Sequence, residues 1–185
     1  MAQPDVQSIR DSLPEWPDDV IDQWLLPFAK DQKLGWPPPD PLGKHRWYYI
    51  LATKPLSWWQ GVRWELSNVD LQKSNLSARD KKMVVQMSQA YMFGAINAYT
   101  SVENGRQRMT SAFSFIVENG RLPRPPIAMK NPDGFQFIDG SHRVAAWMAY
   151  RELPEEQRAN SGAKQIDPVQ PIWIGNHVSG INLNL

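Results

Sequence analysis

Residues 135–150, FQFIDGSHRVAAWMAY, demand a strand, a tight turn and a helix in immediate succession. A short apolar run breaks at Asp139-Gly140 and resumes at once with helical patterning. Ser141, His142 and Arg143 therefore fall where the first N–H groups of the new helix lack partners and the macrodipole adds partial positive charge. A helix start of this kind attracts phosphate. Arg143 contributes a fixed charge with several donors, His142 a group that titrates near neutrality, and Ser141 a hydroxyl able to cap the helix or meet an oxyanion. The same residues also suit a plain Asp-Gly turn followed by a Ser N-cap, so their surroundings must decide.

Those surroundings are regular. Asn119-Gly120 ends a helical pattern, residues 121–126 form a Pro-rich entry, and Ile127 to Met129 predicts a short strand. Asn131-Pro132-Asp133-Gly134 is a turn leading into a strand over 135–138, and Pro171 to Ile174 predicts a further buried strand after the helix. The order is helix, strand, turn, strand, charged turn, helix, strand.

Upstream, residues 1–12 are polar, and Pro14 to Asp19 reads as a helix entry with Pro17 near the first turn. Val20, Ile21, Trp24, Leu25 and Phe28 continue it as an apolar stripe that Pro27 is expected to kink or end. The run LGWPPPDP at 34–41 predicts an extended, polyproline-like segment. Aromatic and β-branched content predicts strands over Arg46–Ala52 and Val62–Leu66. A long helix is predicted from an N-cap at Ser77 to about Thr100, with Met83, Val84, Met87, Tyr91 and Ile96 on its buried face, and a second over Gly105–Glu118. The tetrapeptide ENGR occurs at Glu103 and Glu118, both at helix boundaries, and is not a repeat.

Seven of the nine Trp precede residue 65. Most are expected to supply buried area for a small sheet rather than stacking platforms. Trp58 and Trp59, on an extended segment, are expected to point to opposite faces, leaving one exposed or covered by the N-terminal wrap; Trp147 and Trp173 are expected in the core.

With 185 residues and 42% hydrophobic content, the chain is long enough for one compact α+β body, with residues 1–45 as a helical and Pro-rich extension packed on a domain over 46–185. Twenty Lys and Arg against 19 Asp and Glu leave a net charge of +1, so any DNA contact must be local. No Cys is present, which excludes disulfides and Cys-based zinc sites, and His45 and His177 lack metal spacing with each other or with His142. A start without a basic, apolar leader and the lack of a long apolar span read as cytoplasmic.

The segment Gly120–Gly175, with its LPRPPIAM entry, NPDG turn, FIDGSHRVAAW core and PIWI strand, resembles the ParB/sulfiredoxin superfamily, and residues 63–76 resemble that family's first strand and the helix start after it. The resemblance implies a small mixed sheet with helices packed around it. Within the superfamily the length, the Trp-rich front and the DGSHR element are most similar to the fertility inhibition, or oncogenic suppression, proteins of conjugative plasmids. That likeness implies a bacterial cytoplasmic protein with ATPase and DNase activity that blocks transfer of another plasmid's DNA or of T-DNA, with partners in a type IV secretion or transfer machine. Ser141 stands where sulfiredoxins carry Cys, so thiolate chemistry is chemically closed. About ten residues follow the last predicted strand in this sequence, so the helix-turn-helix of the partition proteins is not expected here.

For mechanism, Gly140, Ser141, His142 and Arg143 are the expected phosphate holders for ATP, with Arg143 neutralising charge on the transferred group. His142 is expected as general acid or base, or as a second phosphate donor. Asp139 is expected either to hold Mg²⁺ through water, to orient the attacking water, or simply to cap the turn. Arg121, Arg124 and Lys130 are the expected DNA contacts, while Arg151 is expected to be a solvated partner of Glu152. Two other readings stay open: a nucleotide-gated binding module without turnover, and a plain interaction protein working through its Trp-rich front.

Overall fold

The computed structural model describes residues 3–74, 76–95, 104–162, 164–180 and Leu183, and its α+β content comprises short helices in the N-terminal third, longer ones beyond, and a four-stranded mixed sheet. Two compact units emerge, one of Met1–Glu65 with Ile174–Leu185 and one of Leu66–Trp173, and their boundaries fall inside strands β1 (Val62–Asp70) and β4 (Val169–His177).

In the first unit α1 (Val6–Arg10) opens with a capping box in which Asp5 accepts from the Ser8 N–H at 2.8 Å. Next, α2 (Asp18–Val20) runs through a π-helical stretch, Ile21–Leu25, into α3 (Leu26–Ala29). Pro27, expected to kink or end this helix, does not end it, for helical residues run on to Ala29. The Leu26 N–H bonds the Ile21 carbonyl five residues back, and this wider turn makes room for a ring that an α-turn would drive into a carbonyl.

The strand expected over Arg46–Ala52 is instead a helical turn, α4 (Trp47–Ile50), with Ala52 and Thr53 at positive φ behind it. Trp47 and Leu51, four apart, are both buried while Tyr48 and Tyr49 are exposed, so burial at helical spacing overrides β propensity. Trp58 and Trp59 likewise sit on a helix, α5 (Leu56–Trp59), not on an extended segment. Trp59 is buried; Trp58 is half-buried and stacks on His177 at 4.4 Å. Trp16 lies within 5.1–5.9 Å of Trp24, Trp59 and Trp64, and its indole N–H reaches the Trp59 carbonyl. These Trp build a core, as the composition suggested.

The strand order of the sheet is β1-β4-β2-β3, and within the second unit β2 (Ile127–Asn131) and β3 (Gly134–Asp139) form an antiparallel hairpin in which Ile127 faces Asp139 and Lys130 faces Phe135. Helix α6 (Ala78–Phe93) starts at Ser77, whose side chain accepts from the Asp80 N–H at 3.1 Å. It stops at Gly94 in the left-handed region, short of the expected Thr100; Ile96 and Thr100 lie outside the described residues. Helix α7 (Gly105–Asn119) ends as expected at Gly120, where a Cβ would stand 2.5 Å from the Gln165 carbonyl oxygen. Helix α8 (Ser141–Glu152) packs against both α6 and α7, and the six-residue α9 (Glu155–Asn160) follows. Trp147 is buried, whereas Trp173, expected in the core, is only half-buried on β4. No helix among the described residues is long and apolar enough to cross a membrane.

Candidate functional site

The site grows from the end of β3. Asp139 closes the strand, and Gly140 takes φ +91° as the N-cap of α8, so Ser141 is the first helical residue rather than the cap. The N–H groups of Arg143 and Val144 turn back to the Gly140 carbonyl at 3.0 and 3.1 Å. The N–H groups of Ser141 and His142 have no acceptor among the described residues. Neither a side-chain cap nor a first-turn acid occupies this helix start.

A second helix start converges here. Helix α7 also lacks a side-chain cap and a first-turn acid, and its Gly105, Arg106 and Met109 line a cavity together with Met87 and Tyr91 of α6 and His142 of α8. That cavity measures about 30 Å³, room for about two waters. The His142 Nε2 is buried without a hydrogen-bond partner among the described residues.

Electrostatics set the imidazole's state. Burial lowers the His142 pKa from its ordinary value, Arg108 and Arg143 push the same way, and Asp139 opposes them. The ring is neutral near pH 7. It sits in a field made positive by arginines, with a nitrogen lacking a partner.

Arg143 does not point freely into this space. Its Nη2 donates to Asp139 Oδ2 at 2.5 Å, its side chain is 14% exposed, and the guanidinium lies so close over Gly140 that a Cβ there would stand 2.7 Å from Nη2. Pro126 closes the other side at 2.9 Å from the same point. The guanidinium thus engages one oxygen of the Asp139 carboxylate, whose side chain is 38% exposed. Among the described residues no group of three or more Asp, Glu or His could hold a metal ion.

The structure brings together Asp139, Gly140, Ser141, His142 and Arg143, as a strand-turn-helix must. Arg121 is exposed and lies over the Phe115 ring at 5.6 Å; Arg124 is half-buried; Lys130, opposite Phe135, is three residues along β2 from the residue facing Asp139, roughly 10 Å of strand. Arg151, expected to be a solvated residue beside Glu152, is exposed and sits over the Trp147 ring at 5.0 Å.

Sequence reasoning missed three participants, of two kinds. Arg106 and Arg108 reach the site because α7 begins beside α8; the first ENGR copy held the signal, but nothing local showed which helix its Arg would face. Asp80 is the second kind of omission, a buried carboxylate that accepts from the Phe137 N–H at 2.6 Å and ties the start of α6 to β3 two residues before Asp139. Burial raises its pKa, against the bonds from Phe137 and Ser77 and the charge of Arg79.

Comparisons with protein-family models, with curated proteins and with solved structures give no match for this chain.

Proposed function

We propose that this protein binds the phosphates of a nucleotide where α8 begins and hydrolyses them, on a fold of the ParB/sulfiredoxin kind. The observation that carries the reading is His142, which lines a cavity with Arg106 and whose buried Nε2 has no partner among the described residues, beside a helix start whose Ser141 and His142 N–H groups have no acceptor among those residues. Oriented amides, a positive field and a neutral imidazole together suit an oxyanion and a proton in transfer.

Each residue then has a part. Ser141 and His142 present backbone N–H groups to phosphate oxygens, Arg106 and Arg108 supply positive charge, and the neutral His142 takes the proton of an attacking water at Nε2. Arg143 turns from Asp139 toward the phosphate as the anion enters, and Asp139 is its positioning residue. A divalent cation would enter on the nucleotide's own phosphates and offset their charge. ATP as the nucleotide, DNA as a second substrate contacted by Arg121, Arg124 and Lys130, and inhibition of conjugative or T-DNA transfer follow from the plasmid resemblance, whose motif residues are those of this site.

One observation favours a second reading. The closed Asp139–Arg143 pair and the water-sized cavity suit a module that binds nucleotide and changes state without turnover. Labelled ATP binding and phosphate release by the wild type, Arg143→Ala and His142→Gln, with urea midpoints in parallel, decides between them. Hydrolysis predicts phosphate release lost in both folded variants; binding without release in the wild type moves the protein to the module, and no binding removes both.

A further inference from the structure

The carboxyl end of α8 opens onto a different feature. A cleft of about 510 Å³ lies between the last turn of α8, α9 and the segment 164–166, with Arg151, Arg158, Lys164, Gln165, Gln72 and Glu155 among its lining. A helix of twelve residues is about 18 Å long, so this cleft stands well apart from the start of α8.

Three cations meet there, and none has a carboxylate within ion-pair distance among the described residues. Their stems are held. Arg151 lies over the Trp147 ring at 5.0 Å, Arg158 Nη1 stands 3.5 Å from the Arg151 carbonyl, and the Lys164 backbone is fixed through Tyr150 Oη donating to its carbonyl at 3.1 Å and its own N–H donating to Val117. Glu155 is the lining acid, while Glu152 and Glu156 are exposed on the same helices. In a chain of net charge +1, three cations against one acid in one cleft is a local asymmetry that the composition does not require.

The lining also says what kind of ligand fits. Pockets for small molecules are mostly apolar and enclosed, whereas this cleft is open and mostly polar. Contacts to a phosphodiester backbone use Arg, Lys and Gln side chains and need no apolar floor. We propose that the α8–α9 cleft, through Arg151, Arg158 and Lys164, binds the phosphodiester backbone of a nucleic acid without reading its sequence. The proposal rests on the DNA part of the function above and adds a surface separate from Arg121, Arg124 and Lys130.

Fluorescence anisotropy with a labelled single strand and a duplex of about twenty nucleotides, over a salt series, tests it. The full chain is compared with the triple variant Arg151→Ala, Arg158→Ala, Lys164→Ala and with Lys81→Ala, Lys82→Ala, which removes two exposed cations of α6. The triple variant is expected to bind at least about tenfold more weakly, with a salt slope lower by about two to three, since each lost phosphate contact removes about 0.7–0.9. The α6 variant is expected to bind within about twofold of wild type. Equal weakening in both variants, an unchanged salt slope, or binding of inorganic polyphosphate but not of DNA overturns the proposal. Phosphate release from ATP, read in the same samples, keeps the two claims apart: turnover without cleft-dependent DNA binding sinks this proposal alone, and cleft-dependent binding without turnover sinks the hydrolase alone.

Discussion

Arg143 reaches back across Gly140 to Asp139, closing a 2.5 Å ion pair over an α-carbon that has no room for a side chain. The pair decides how the helix start can act, because it makes a resting mouth in which the strongest cation is already neutralised. An incoming anion must compete with Asp139 for it. Replacing Asp139 by Asn should therefore raise affinity for nucleotide about fivefold, the worth of removing one like charge about 4 Å away in a watery setting. Titration calorimetry reads this directly, and a fall in affinity would show that the carboxylate's hold on Arg143 is needed for binding itself.

Gly140→Ala should cost stability for two separable reasons. Its φ of +91° is strained for an L residue, and the new Cβ would meet both Arg143 and Pro126 below 3.0 Å. A loss of about 2–3 kcal/mol is expected in urea unfolding. A midpoint equal to wild type would mean that the turn is looser than drawn.

His142 makes stability depend on pH in a definite direction. Its folded pKa lies below the ordinary 6.5, so its contribution is complete above about 6.5 and is lost as pH falls through the folded value. The stability difference between wild type and His142→Gln should shrink on acidification from pH 6.5 downward. Arg108→Ala should make that loss smaller and complete it at a higher pH, because it removes the second largest cause of the depression. Urea midpoints across the range check both, and a difference that stays constant would contradict the assigned environment.

Asp80 behaves oppositely. Its folded pKa is raised above 3.8, so its contribution is full below that value and is lost as pH rises through the folded pKa. Measured against Asp80→Asn, which keeps an acceptor for the Phe137 N–H, the wild type should gain relative stability as pH falls. Asp80→Ala, which leaves that N–H without its partner, should lose about 1–3 kcal/mol at neutral pH.

The strand-turn-helix at 135–150 was legible because its signals are local: an apolar run, an Asp-Gly break and a resumed helical period over adjacent residues. The ends of α7 and the hairpin of β2 and β3 were legible for the same reason. Failures came where distant packing overrode propensity. Residues 46–52 carry strand-forming side chains yet coil to bury Trp47 and Leu51 together, and a π turn carries the chain past Pro27. At the site, the residues supplied by one segment were foreseen, but Arg106, Arg108 and Asp80 arrive from helices whose arrangement no local pattern encodes. The Asp139–Arg143 pair lay within reach, since residues four apart across a helix start can meet; the guanidinium crosses Gly140 where no side chain stands in its way.

The central claim is an anion at the start of α8 in contact with His142, and the imidazole itself can report it. Proton NMR of the His142 ring, followed while ATP or inorganic phosphate is added to the folded protein, should show a saturable shift and a titration midpoint that rises as the anion binds, because a negative charge favours the protonated ring. A His142 signal that stays fixed in shift and midpoint at saturating nucleotide would contradict the account.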